Sequence, residues 1–350
     1  MCQSLAFRFP PNLHTFFIVM HNPELLERPS ALPASHRDPE PTFQAAPDLS
    51  ASYPRYLEPG DLPLDPQSQK RRGPVSRLAS LLAPLNSALY DAQMLLKGVR
   101  LIRHRVQLAN YPHNAPPLKI GFISDLHYGP TSGRSAARQA WTLLRDAQPD
   151  LLLLGGDFLY ADERGLPTLM RELQRWKHIA PPAGMYAVMG GHDHLTGTQT
   201  LATCLEACDV RVLRNDAAEL PYPWHDVWVA GCDAVKNGDP QAELAVSGVP
   251  RGAATIMLSH SPEVCQYDVL KQCGLTLCGG THGGQVAKPG GEPIWMPTEW
   301  GKQYPAGLFR HAGNWVFVSR GVGTVGVPVR LFAPPDVALF EIVGRGAVRR

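Results

Sequence analysis

No run in this sequence approaches the roughly 18 apolar residues that a membrane-spanning helix needs. The apolar stretch from Thr15 to Met20 is also too short for a secretory signal core, and no small-residue cleavage site follows it. These absences predict a cytoplasmic protein. An excess of charge of one sign is missing too. With 33 basic and 31 acidic residues the net charge is +2, which gives no electrostatic reason to expect nucleic acid as a partner. The seven cysteines are odd in number and lack paired spacing, so they do not read as a disulfide framework. Cys204 and Cys208, four apart, read as small core hydrophobes.

Proline, by contrast, is concentrated. Residues 1–70 hold 12 of the chain's 34 prolines among Ser, Asp, Glu and Gln. That composition predicts a disordered extension, because proline blocks both helix and sheet pairing. Residues 71–116 read as an amphipathic helical segment and lead-in: from Val75 to about Arg105, Leu78, Leu81, Leu82, Leu85, Leu89, Leu95 and Leu96 recur near helical spacing, Pro84 divides the run into two shorter helices, and Arg100, Arg103, His104 and Arg105 crowd its end. This segment is expected to pack on the main domain. Its sharper reading is a basic amphipathic helix making peripheral membrane contact.

Residues 117–350 have an α/β texture and are expected to form the main domain. Lys119–Ser124, Leu151–Gly155, Tyr186–Met189, Ile256–Ser259 and Leu275–Cys278 read as buried strands, and Ser132–Ala147 as an amphipathic helix. Trp315–Ser319 and Val337–Val343 read as closing strands. Each buried run ends in polar residues. The first leads into Asp125-Leu126-His127, the second into Gly156-Asp157 and the third into Gly190-Gly191-His192-Asp193. The fourth leads into His260, and the fifth into Gly279-Gly280-Thr281-His282. Strand carboxyl ends converge on the ligand crevice of α/β sheets. Five such ends, each carrying His or Asp, point to a metal site. Asp125 and His127, at i and i+2, would face one side of a strand and share a cation. Asp157 could bridge two cations, and mixed imidazole and carboxylate donors suit Mn, Fe or Zn.

These ordered blocks resemble the calcineurin-like metallophosphoesterases, and within them the bacterial YkuE/YaeI-type branch. The segments Gly283-Gly284-Gln285, Val318-Ser319-Arg320-Gly321-Val322-Gly323 and Pro334-Pro335-Asp336 resemble that branch as well. The resemblance implies a four-layer α/β/β/α sandwich of two mixed sheets. It implies that Asp125, His127 and His282 hold a first metal, that Asp157 bridges to a second, and that His260 binds the second. His192 would act on the leaving oxygen of a phosphate ester, with Asp193 orienting its ring, as a metal-activated hydroxide attacks. The expected substrate is a phosphomonoester, phosphodiester or pyrophosphate, with a lean toward lipid-linked or nucleotide-sugar-linked compounds.

Two positions depart from the family pattern. Gly191 stands where the family has asparagine, and Gly280 where it has histidine; both are second-metal ligands in the family. One divalent cation is therefore expected at the first site, and a weakened second site beside it. A catalytically impaired one-metal relative that binds a phosphate-bearing ligand is the alternative. His194 and Cys278 flank the replaced positions, but are expected at the surface or substrate and in the core, respectively. Trp295, Trp300, Tyr304, Leu308 and Phe309 read either as an apolar wall to the cleft or as a loop packed on the core.

Overall fold

The computed structural model describes residues 90–91, 93, 98–129, 134–160, 163–296 and 298–344. The expectations for 1–70 and for the leucine-spaced stretch before Tyr90 lie outside the described residues. The strands are β1 (Arg100–Leu108), β2 (Leu118–Ile123), β3 (Leu151–Leu154), β4 (Met185–Ala187), β5 (Val210–Val212) and β6 (Asp216–Glu219). They continue with β7 (Val227–Gly231), β8 (Ala254–Leu258), β9 (Leu275–Cys278), β10 (Gly307–His311), β11 (Asn314–Val318) and β12 (Asp336–Gly344). They form two mixed six-stranded sheets, ordered β1-β12-β2-β3-β4-β5 and β10-β11-β9-β8-β7-β6.

Side-chain alternation along the strands builds the layers. In β3, Leu151 and Leu153 face the core between the sheets, where they meet Ile256, Leu275 and Phe317. Leu152 and Leu154 face the opposite way, onto the helices α1 (Arg134–Ala147) and α2 (Leu166–Ile179). All four leucines are fully buried, and each contributes about 1.5–3 kcal/mol through that burial. In α1, Ala136, Ala140, Trp141 and Leu144 recur at helical spacing and pack on this face. Trp141 also meets Trp176 of α2, with ring centroids 5.8 Å apart. A third core covers the outer face of the second sheet, with Met257, Cys278 and Val316 under Val264, Leu270 and Tyr304. The expected α/β/β/α sandwich of two mixed sheets is what the chain forms.

The structure corrects the helical reading of the region up to Arg105. Residues 100–108 are an edge strand, parallel to β12 from Arg100 opposite Asp336 to Leu108 opposite Gly344. Ile102, His104, Val106 and Leu108 alternate with Leu101, Arg103, Arg105 and Gln107. That period of two outweighs the helical spacing that precedes it. Val106 and Leu108 enter the core between the sheets, and His104 stacks on Phe340 at 5.4 Å. The first sheet thus begins at Arg100, ahead of the expected boundary at 117. Arg100, Arg103 and Arg105 sit on an edge strand, where charge discourages further strand pairing, and not on a basic amphipathic helix. Among the described residues, no helix is long and apolar enough to cross a membrane.

Candidate metal centre

The two sheets meet at the carboxyl ends of β2, β3, β8 and β9. His260 Nδ1 bonds the carbonyl of Gly155 at 2.8 Å, and the amide of Gly280 reaches the Asp125 carboxylate at 3.0 Å. These contacts tie the second sheet to the first across the site. Asp125 and His127 lie beyond the end of β2, and both are left-handed, with φ of 54° and 46°. Asp157 (53°) and His282 (53°) share that conformation. Non-glycine residues held there store strain of order 1–3 kcal/mol each, a pattern that gathers at functional sites. Asp125 and His127 therefore converge through a tight turn and not by facing one side of a strand.

Three donor atoms close on one point, those of Asp125, His127 and His282, and Asp157 joins them through His127. His127 Nε2 lies 3.1 Å from His282 Nε2, 3.5 Å from Asp157 Oδ2 and 3.9 Å from Asp125 Oδ1, and His282 Nε2 lies 3.4 Å from Asp125 Oδ1. Donors at about 2.0–2.2 Å around a tetrahedral ion stand roughly 3.4 Å apart. The cluster fits a divalent cation on that spacing and on its mixed N/O chemistry. Burial keeps the two imidazoles neutral, as metal ligands must be. It pushes His127 down to about 3, and together with the nearby Arg330 charge it holds His282 well below its usual value.

Asp157 is the hub. Its Oδ2 also meets His192 Nδ1 at 2.8 Å and His260 Nε2 at 3.2 Å. Burial disfavours its charge, but the His260 and His192 cations beside it prevail and hold it well below the carboxylate range. Burial likewise opposes the charge of His260, yet Asp157 and Asp125 hold that imidazole up to about 10. Overlapping donor triads also join His127, Asp157 and His192, and Asp125, Asp157 and His260. A second cation would have only Asp157, His260 and Asp125 from these groups.

The expected role of Asp193 is corrected. Its carboxylate is fully buried and accepts hydrogen bonds from four backbone amides. Oδ2 takes those of Asp157 (2.8 Å) and Gly190 (2.9 Å); Oδ1 takes those of Phe158 (2.9 Å) and Leu159 (3.2 Å). It therefore shapes the Asp157 turn, and Asp157 takes its place on the His192 ring.

Neither neighbour fills the replaced ligand positions. Cys278 is fully buried in the outer core, which raises its thiol far above the usual range. His194 Nε2 is engaged with Asp233 at 2.7 Å. A β-carbon on Gly191 would lie 3.1 Å from the Lys236 carbonyl and 3.5 Å from the Asn237 amide, so the 236–237 loop closes over that position. Gly280 has φ of +76°, and a β-carbon there would lie 2.9 Å from Ser261 Cβ. The apolar wall dissolves as well. Trp300, Tyr304 and Phe309 pack into the outer core and Leu308 into the core between the sheets, while Trp295 is half-exposed.

Two residues at the site carried no pattern in the sequence. Asn237 donates to the Gly191 carbonyl at 3.1 Å. Arg330, 2% exposed, donates to the His282 carbonyl (3.2 Å) and to His282 Nδ1 (3.1 Å). The one trace of Arg330 is a lone charge inside the apolar run Val327-Pro328-Val329-Arg330-Leu331-Phe332.

Residues 118–262 match the family model of calcineurin-like phosphoesterases. The chain is similar to the phosphodiesterase YaeI of Escherichia coli K12, with 33% identity over 69% of this chain and 88% of that protein. It is 29% identical to a metallophosphoesterase of Aquifex aeolicus over 71% of this chain and 93% of that one. It is 26% identical to the metallophosphoesterase YkuE of Bacillus subtilis over 70% and 85%. Among solved structures, a dimetal phosphatase from Danio rerio is 14% identical over 59% of this chain and 88% of that one, with a TM-score of 0.36.

Proposed function

The chain belongs to the calcineurin-like phosphoesterase family, and on that footing we propose that it hydrolyses a phosphate ester, a phosphodiester foremost, around one firmly held divalent cation. The observation that carries this reading is the closure of Asp125, His127 and His282 to donor separations of 3.1–3.9 Å, with Asp157 3.5 Å from His127. Asp125, His127 and His282, with Asp157 beside them, would hold a Mn, Fe or Zn ion, which would supply Lewis-acid chemistry to a phosphate ester and an attacking water.

The remaining steps fall to the chain's own side chains. His192 is 20% exposed, against 10% or less for the side chains of His127, His260 and His282, so it is the imidazole that reaches toward a substrate. Its Nδ1 is committed to Asp157, which leaves Nε2 to face the leaving oxygen. Burial opposes its charge, but Asp157 raises its pKa above the usual value, which suits a proton donor. Asp193 fixes the turn that presents Asp157. The relative described as a phosphodiesterase supports the diester reading. A lipid-linked or nucleotide-sugar-linked substrate, and a cytoplasmic site of action, remain part of the proposal.

A second reading, a one-metal relative that binds a phosphate-bearing ligand without turnover, is favoured by Gly191 and Gly280, which offer no donor atoms. Hydrolysis of bis-p-nitrophenyl phosphate with added Mn separates the two. Turnover that falls in His192→Ala while metal content is kept supports the enzyme. Absence of turnover in the wild-type chain with one metal bound supports the binding protein.

A further inference from the structure

Behind the metal centre, the segment from Val327 to Phe332 is turned inside out. Val327, Val329, Leu331 and Phe332 are 39–51% exposed, while Arg330 between them is 2% exposed. All five N–H donors of Arg330 end on neutral acceptors: twice on the Gly323 carbonyl, and on the carbonyls of His282 and Ala333 and on His282 Nδ1. No carboxylate among the described residues pairs with it. A buried, unpaired cation is costly unless an opposite charge comes close.

Arg330 lines a cleft of about 540 Å³ together with Arg100, Arg320, Phe332, Pro334 and Pro335. Arg320 gives Nη1 to Asp336 at 3.1 Å. Arg100 is exposed and has no carboxylate partner among the described residues. Three guanidinium groups thus face one carboxylate, an excess of two positive charges in one concavity. The cleft lies on the far side of the His282 ring, since Arg330 meets Nδ1 while Nε2 turns toward Asp125 and His127.

We propose that this cleft is a binding site for a phosphate-type oxyanion, separate from the metal centre. Arg330 supplies a fixed charge, because its donors are taken. Arg100 and Arg320 supply the contacts, in the forked geometry that guanidinium groups use on phosphate. Phe332 and the two prolines give the cleft an apolar side. The same chemistry serves a free phosphate-bearing solute or a lipid phosphate headgroup.

The test titrates the full chain with inorganic phosphate by calorimetry and measures its sedimentation with phosphatidylcholine vesicles, with and without phosphatidic acid. Arg100→Glu is the principal variant: the residue is exposed on an edge strand and touches nothing in the metal centre. The expected result is phosphate binding about tenfold weaker in Arg100→Glu and weaker again in Arg100→Glu/Arg320→Gln, with turnover of the single variant unchanged. If binding to the phosphatidic acid vesicles falls in parallel, the occupant is a lipid phosphate. If wild-type chain ignores both vesicles yet shows the Arg100-dependent phosphate site, the occupant is a soluble phosphate compound. Identical titrations of wild type, Arg100→Glu and the melting-checked double variant, with no vesicle difference, overturn the proposal.

Discussion

Asp193→Asn distinguishes a scaffold from a catalytic partner. Each Asp193 oxygen accepts two backbone amides, at 2.8 and 2.9 Å on Oδ2 and 2.9 and 3.2 Å on Oδ1. Asparagine keeps one oxygen and turns the other into an NH₂ that itself donates. Two buried amides then lose their acceptor, at about 1–3 kcal/mol each, and the two surviving bonds lose their charge assistance. The expected loss is about 2–6 kcal/mol. At about 2–4 °C per kcal/mol for a domain of this order of size, the melting midpoint falls by roughly 4–24 °C. Because the amides belong to Gly190, Asp157 and the two residues after it, metal content should fall with stability. Calorimetry and elemental analysis on one preparation check both. A variant that melts within about 2 °C of wild type, keeps its metal and yet loses turnover would refute this reasoning and make Asp193 a partner of His192 in the chemistry.

Two further outcomes follow from the same geometry. In metal-stripped protein, His260 is held up to about 10 by Asp157 and Asp125 against the effect of burial. Its charged form contributes stability that is complete below the unfolded value of about 6.5 and is lost as pH rises toward 10. The thermal midpoint of chelator-treated protein should therefore fall across that window; a midpoint that stays level or rises there contradicts the Asp157–His260 pairing. Gly280→His, which restores the family's residue by sequence, should destabilise the chain by about 1–3 kcal/mol through its left-handed backbone alone. A β-carbon 2.9 Å from Ser261 Cβ adds to that. Denaturant midpoints read the cost, and a variant as stable as wild type with a newly bound second metal shows the site is more accommodating than its geometry.

Much of the fold was legible because several strands carry an unmixed signal. Leu151–Leu154 and Leu275–Cys278 are buried on both faces, so their apolar runs are continuous. Asp216–Glu219, with one buried residue, and Gly307–His311, with none, carry little strand signal, whereas Val227–Gly231 is unread despite an apolar run with four of five residues buried. The alternation of Arg100–Leu108 is masked because it begins directly after leucines at helical spacing. At the site, residue types and order point to Asp125, His127, Asp157, His192, His260 and His282; His127, His192 and His260 meet Asp157, and Asp125 and His282 meet His127. What the sequence could not convey was which atoms face each other. Asp193 looked like a partner for its neighbour His192, but its carboxylate turns to four amides, one in its own turn and three distant in sequence. Arg330 lies 48 residues from His282, and no local pattern links them.

The most direct measurement is the metal content per chain, with turnover of bis-p-nitrophenyl phosphate, for wild type and Asp157→Asn. One tightly held divalent metal per wild-type chain is expected, with turnover, and both should be largely lost in Asp157→Asn. A wild-type chain that holds no metal under any loading condition, or an Asp157→Asn variant that keeps its metal and its rate, contradicts the assignment of Asp125, His127, Asp157 and His282 as the cation site.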